Sequence, residues 1–374
     1  MPLRREISPT QANGSNGFGC RAQLHVAGQR AMTIATNDIR KILIIKLGGL
    51  GDVFLSTIVL DSLRASFPSA RIEYCVEKAG REAIVRDPRV DGVFVLDKAT
   101  MHPLAVIRHI RGQRYDMVID LFGNPRSAVM ALFSGARYRV GLDYGWRRYL
   151  YTVVGEAQRE KLHGAEVNLQ ALRALGIPIT RTALVYPLTD EDRSYAERIW
   201  VTQELEGQFV LGILPAGSWP SKRCEPEKFA ELALALSAEY NARMLIVWGP
   251  ADESDAAAIA ERCGERAILA PRATLSSNLA LLARCSAIVA NDSGPMHLAS
   301  GFGVPILCLY GPTYPEGPYG TIHGWVRNEQ LDCLVCNYLQ CPIQHQCMRE
   351  LPLEAVQREF RKMMEKARKV NACR

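Results

Sequence analysis

The chain has 374 residues, 48% of them hydrophobic and 22% charged, with a net charge of +6. That length calls for two or three domains, and no apolar run reaches the roughly 18 residues of a membrane span. The mild basic excess excludes the dense cationic surface of a nucleic-acid binder. It suits an anionic substrate, an anionic membrane face, or simple solubility.

Residues 1–38 stand apart: Gln11–Gly19 is rich in Gly, Asn and Ser without a hydrophobic period, and no apolar signal core follows Arg4 and Arg5. The segment is expected to be a disordered leader, with Met32 a candidate start and the cytoplasm the default location. Lys41–Lys46 (KILIIK) predicts a buried strand, Leu47–Gly51 a glycine-rich turn, and 52–66 a helix stopped by Phe67-Pro68. Strands are predicted at 71–76, 92–96 and 117–121, and a helix over 103–111. The region 178–207, with Pro178, Pro187 and a charged helix over 190–200, breaks the rhythm and places a linker near 185–207. Strands then recur at 209–214, 244–248, 267–270, 287–290 and 306–310, with a helix over 226–239. A last helix near 352–370, charged on one face, is a candidate to pack back across the domain boundary.

Strands alternating with helices imply parallel sheets wrapped by helices. The expected class is α/β, with two Rossmann-like doubly wound domains facing across a cleft. The expected division is 39–190, then 191–351 with a Cys-rich segment at 333–347, then a C-terminal helix over 352–374. Ligands of such sheets sit beyond the carboxyl ends of the strands, and the motifs lie there.

The first motif is Leu47-Gly-Gly-Leu-Gly-Asp52. It does not fit the dinucleotide fingerprint GxGxxG. Its glycines let a substrate approach the backbone closely. Asp52 can accept a proton from an attacking hydroxyl, or can be an ordinary acidic helix start stabilised by the dipole. The second motif is Leu214-Pro-Ala-Gly-Ser-Trp-Pro-Ser-Lys-Arg223. Ser218 and Ser221 can donate to phosphate, and Lys222 can neutralise a departing diphosphate, although an exposed polar loop would read the same way. The third is Asn291-Asp-Ser-Gly-Pro-Met-His297. Pro295 suits a first helical turn, which puts Ser293 and Gly294 near an N-cap that can receive an anion. Asp292 is an awkward neighbour for phosphate and is expected to orient the loop or to touch a sugar or Lys222. His297 can reach a diphosphate or can be a structural histidine. Tyr310-Gly-Pro-Thr313 ends the following strand near the same cleft. Together these suggest a nucleotide diphosphate donor in the second domain and an acceptor held by the first.

These three ordered motifs, within a match covering about residues 40–355, resemble the lipopolysaccharide heptosyltransferases of glycosyltransferase family 9. The resemblance implies the two-domain GT-B fold. It also implies inverting transfer of heptose from ADP-heptose to a lipopolysaccharide inner-core acceptor, with no cofactor or essential metal. By that resemblance Asp52 is the general base and Lys222 stabilises the departing diphosphate. Ser293, Gly294 and His297 line the phosphates, Asp292 lies near the donor, and Glu253 touches the adenosine ribose. The chain departs from the family at Cys224, where Trp is frequent, and at Gly48-Gly49, where Ser-Ser is frequent.

Of the 11 cysteines, Cys333, Cys336, Cys341 and Cys347 cluster at a spacing that could hold a structural zinc or iron, or could be a compact set of free thiols. Arg126, Arg137, Arg139, Arg147 and Arg148 are candidates to grip an anionic glycolipid acceptor or the inner leaflet of the inner membrane. Gly49, Arg147 and Arg148 are the candidate acceptor-binding residues. Three other functions share much of this pattern: a same-fold transferase with another donor or a protein acceptor, a nucleotide-sugar epimerase, and a non-catalytic nucleotide-binding protein.

Overall fold

The computed structural model describes residues 38–97 and 99–372. The expected leader lies outside these residues, apart from Asp38. The first domain holds β1 (Lys41–Ile45), β2 (Arg71–Glu77), β3 (Gly92–Leu96), β4 (Met117–Asp120), β5 (Tyr138–Leu142) and β6 (Val153–Gly155). The second holds β7 (Val210–Leu214), β8 (Arg243–Ile246), β9 (Ala267–Leu269), β10 (Ala287–Asn291), β11 (Ile306–Leu309) and β12 (Gly324–Val326). The sheets run β3-β2-β1-β4-β5-β6 and β12-β11-β10-β7-β8-β9, all parallel. This is one doubly wound order used twice. It reverses at β1/β4 in the first domain and at β7/β10 in the second, and crevices open at such reversals.

Central strands read directly from their apolar runs, because both faces are covered. Ile42, Leu43, Ile44 and Ile45 are fully buried, as are Ala287–Ala290. The strands missing from the sequence reading are β5, β6 and β12. Arg139 and Gly141 break the apolar run of β5, while β6 and β12 are short strands at sheet edges. The expected helix over 52–66 is three pieces: Leu50–Ser56, a tight turn Thr57–Val59, and Leu60–Ser66. Ser56 and Thr57 hydroxyls donate back to the carbonyls of Val53 and Phe54, which competes with regular helical bonding.

One apolar core runs through both domains. Phe54 packs on Tyr186, and Tyr186 on Phe302 at ring separations of 6.3 Å. The helix Asp190–Thr202, with Thr189 and Asp192 forming a capping box, packs on the helix Leu275–Leu282 of the second domain. The last helix, Leu353–Ala372, does not make its main packing across the boundary. Its apolar stripe of Val356, Phe360 and Met363 is buried against β11, β12 and the helix Pro226–Tyr240 of its own domain. No described helix is long and apolar enough to cross a membrane.

Candidate active site

The loops at the two strand-order reversals meet. The helix Leu50–Ser56 follows β1, the helix Gly294–Ala299 follows β10, and they pack together. Two glycines allow the approach. A Cβ on Gly51 would lie 2.7 Å from His297 Cδ2, and one on Gly294 would lie 2.8 Å from Leu50 Cβ. A larger residue at either position would make His297 or Leu50 shift.

Around this contact lies a cavity of about 630 Å³. Its wall includes Gly49 and Asp52 from the first domain, and Ser218, Lys222, Asp292, Ser293, Gly294 and His297 from the second. Three sequence-distant motifs thus converge. Lys222 Nζ lies 2.6 Å from Asp292 Oδ2 and over the Trp219 ring. Thr313 donates to the same Asp292 oxygen at 2.9 Å. His297 Nε2 is 3.9 Å from Asp292 Oδ1, and its Nδ1 is buried without a partner. Burial pushes the His297 pKa down, with Asp292 opposing, so the ring is neutral at pH 7.

Buried side chains fix the loops. Asn291 donates to the Pro215 carbonyl at 2.8 Å and accepts from the Cys224 amide at 3.2 Å, tying the loop after β7 to the end of β10. Arg223 donates to the Gly217 and Ala251 carbonyls and pairs with Asp252 at 3.1 Å. Cys224, where Trp was expected, is buried beside Met348.

A second cavity, of about 270 Å³, is lined by Lys46, Asp52, Leu121, Arg159, Asn168, Tyr314 and Glu316, among others. Lys46 ends the KILIIK run and is only 6% exposed. Its ammonium donates to the Leu121 carbonyl at 3.0 Å and lies 3.4 Å from Asn168 Oδ1. Burial pushes its pKa below the ordinary lysine value, and Asp52 opposes that. Asp52, which is exposed, and Glu316 belong to both walls. Glu316 Oε1 is engaged by the Gly164 amide at 2.5 Å.

Other expected residues sit elsewhere. Ser221 faces away from the large cavity, its hydroxyl donating to the Tyr338 carbonyl. Glu253 opens a helix outside both walls, and its neighbour Asp252 stands in the larger one. Arg126 pairs with Glu77, Arg148 with Asp143, and Arg139 with two backbone carbonyls; neither Arg147 nor Arg148 is in the wall of these two cavities. Lys46 and Arg159 are the cations the sequence reading missed. The signal for Lys46 was present: a lysine at the carboxyl end of a buried strand points at a crevice. Cys333, Cys336, Cys341 and Cys347 do line one small cavity. Even so, the described residues contain no group of three or more His, Cys, Asp or Glu placed to hold a metal ion, so of the two readings of this cluster the structural metal is unsupported.

The model of glycosyltransferase family 9 (heptosyltransferase) matches residues 104–346. Lipopolysaccharide heptosyltransferase 2 of Escherichia coli is 27% identical over 303 residues, covering 74% of this chain and 84% of that protein. Lipopolysaccharide heptosyltransferase 1 of Pseudomonas aeruginosa is 26% identical over 294 residues, covering 75% and 81%. Among solved structures, a family 9 glycosyl transferase from Veillonella parvula superposes with a TM-score of 0.75 at 24% identity, covering 90% of this chain and 99% of that one. The E. coli ADP-heptose lipopolysaccharide heptosyltransferase II superposes with a TM-score of 0.65 at 24% identity, covering 87% and 98%. With its doubled parallel sheets and a family match over most of its length, the chain belongs to glycosyltransferase family 9, the heptosyltransferases.

Proposed function

We propose that the protein transfers a heptose from ADP-heptose to an anionic lipopolysaccharide inner-core acceptor, with inversion and without a metal. One observation carries this reading: Asp52 stands in the wall of both cavities, between the Lys222 loop and the Lys46–Arg159 recess. The donor belongs in the larger cavity. One E. coli heptosyltransferase of the same fold has been solved with ADP and with ADP-2-deoxy-2-fluoro heptose.

In the proposed step an acceptor hydroxyl attacks the anomeric carbon from the face opposite ADP. Asp52 takes the hydroxyl proton as the new carbon–oxygen bond forms. The bond to the β-phosphate breaks, and its electron pair leaves on ADP. Lys222, held beside the cavity by Asp292, turns its charge to the departing oxygen. Neutral His297 can donate to the diphosphate without competing for Lys222. The acceptor lies in the smaller cavity. Lys46 is a nearly buried cation whose nearest partners are a carbonyl and an amide oxygen. An anionic group there would offset its desolvation, with Arg159 as the second cation.

The turn Gly145–Leu150 supports peripheral contact with the inner membrane face. Trp146 is 58% and Tyr149 83% exposed beside Arg147 and Arg148. Co-sedimentation with anionic vesicles should weaken severalfold in Trp146→Ser/Tyr149→Ser; unchanged sedimentation would remove that contact.

The test is incubation with ADP-heptose and a truncated inner-core lipid, reading the anomeric configuration of the product by NMR. A product inverted relative to the donor is expected. Retention, or conversion of the donor sugar without any acceptor as an epimerase would give, contradicts the reading.

A further inference from the structure

The loop that carries Lys222 is gripped from behind by the Cys-rich segment. The tight turn Pro220–Lys222 leads within three residues to Glu225, the N-cap of the helix Pro226–Tyr240. Ser221 donates its amide to the Leu339 carbonyl at 3.2 Å and its hydroxyl to the Tyr338 carbonyl at 2.5 Å. Its own carbonyl lies 2.7 Å from Nε2 of His345, and the other ring nitrogen lies 2.8 Å from Glu225 Oε1. A carbonyl and a carboxylate can only accept, so both ring nitrogens donate and the ring is an imidazolium.

The carboxylate is charged as well. Burial acts to raise the Glu225 pKa, but hydrogen bonds from His345 and Arg349 hold it below the usual range. Its Oε2 is buried without a partner, so its charge rests on the Oε1 contacts. His345 itself is held in the left-handed region at φ 56°, with the Met348 and Arg349 amides on its carbonyl. The ring therefore bridges two points of one connection, Ser221 and Glu225, with Lys222 between them.

We propose that His345 is a positioning residue for Lys222: its ring ties the Ser221 carbonyl to the Glu225 carboxylate and so fixes the turn from which Lys222 reaches the cavity. The proposal rests on the reading of Lys222 as the partner of the leaving diphosphate. It gives the Cys-rich segment a task in transfer without a metal, because the grip is made by backbone carbonyls and one charged ring. A misplacement of about 1 Å in a group that acts on the transition state costs on the order of 100-fold in rate.

The test is His345→Gly, which keeps the left-handed backbone unstrained and removes the ring. The expected result is a kcat lowered roughly 10- to 100-fold, an acceptor KM within about twofold of the parent, and severalfold recovery of kcat when imidazole is added to fill the space. Lys222→Met is measured alongside. If it loses turnover while His345→Gly stays within about twofold of the parent, the proposal is overturned and the leaving-group reading survives. If Lys222→Met keeps full turnover, the leaving-group reading fails, and the proposal with it. A second measurement needs neither variant activity nor a sugar: nitrogen-15 NMR of the full chain at pH 8, with His345→Gly identifying the signal if it folds and Glu225→Gln shifting it if not. Two protonated ring nitrogens are expected, and a neutral ring overturns the proposal.

Discussion

In the second domain, Asn291, Arg223 and His345 hold the loop after β7 through hydrogen bonds to its backbone, the Ser221 hydroxyl in that loop donates to the Tyr338 carbonyl, and Lys222 begins ion-paired with Asp292. In the first domain, the loop after β1 is only Lys46-Leu47-Gly48-Gly49, and the carboxylate of Asp52, in the first turn of the helix that follows, is exposed. The strand order is the same in both, so the fold does not cause the difference. A diphosphate is a fixed, highly charged group, and stabilising its departure calls for donors already in place. On the proposed function, a lipid-borne sugar presents one hydroxyl to Asp52, and the Gly48-Gly49 turn leaves room for it. The lesson is that the two halves divide preorganisation from access.

The largest expected effect breaks the ordered half at its charge. Lys222→Met should lower kcat by roughly 10²–10³-fold, the range for removing a preorganised donor, with Asp292 then left without its cation. Stopped-flow or product-release kinetics would check this, and a loss confined to donor KM would place Lys222 in ground-state binding only. The first domain is tested next. Lys46→Met with Arg159→Gln should raise acceptor KM on the order of 10-fold or more, the value of one or two charge-assisted hydrogen bonds, and leave ADP affinity unchanged. An unchanged acceptor KM would move the acceptor out of the smaller cavity.

Two smaller effects concern stability. Asn291→Ala leaves the Pro215 carbonyl and the Cys224 amide without their buried partner, and should cost about 1–3 kcal/mol in denaturant unfolding. A change below about 0.5 kcal/mol would mean the loop holds without it. His323 is buried, accepts from the Ile306 amide at 3.2 Å, and has its pKa pushed down to about 4 by burial. The folded state therefore resists protonation there. Its contribution is fully present above the unfolded histidine pKa of about 6.5, and is lost as pH falls toward 4, by about 3 kcal/mol in all. His323→Leu should flatten that acid limb, and an identical pH profile would remove the linkage.

Much of this division was legible in the sequence. The glycine-rich turn after KILIIK, the Ser-Trp-Pro-Ser-Lys-Arg loop and the Asn-Asp-Ser-Gly-Pro turn announce themselves, because each follows an apolar run long enough to be a central strand. The Lys222–Asp292 contact is one of the three roles that the misfit of a carboxylate beside phosphate leaves open for Asp292. The supports were not legible. Ser221 looks like a phosphate ligand by composition, and only the fold turns it toward residues 338–339. Arg147 and Arg148 are adjacent in sequence and easy to pick as acceptor contacts, whereas the smaller cavity, where the proposed function puts the acceptor, brings together Lys46 and Arg159, about 110 positions apart. Edge strands β6 and β12 were missed because each is three residues long and one of the three is glycine, whereas β9, equally short and also at an edge, reads from its apolar run.

The most direct measurement is the turnover of Asp52→Asn with ADP-heptose and an inner-core acceptor, taken with its ADP affinity. Asp52 is predicted to be the base shared by both cavities, so kcat should fall by roughly 10²–10⁴-fold while ADP binding stays within about twofold of the parent. Glu316→Gln, in the same two walls but tied to the Gly164 amide, should retain most of the activity. Full turnover by Asp52→Asn, or a loss of that size in Glu316→Gln alone, would contradict the account.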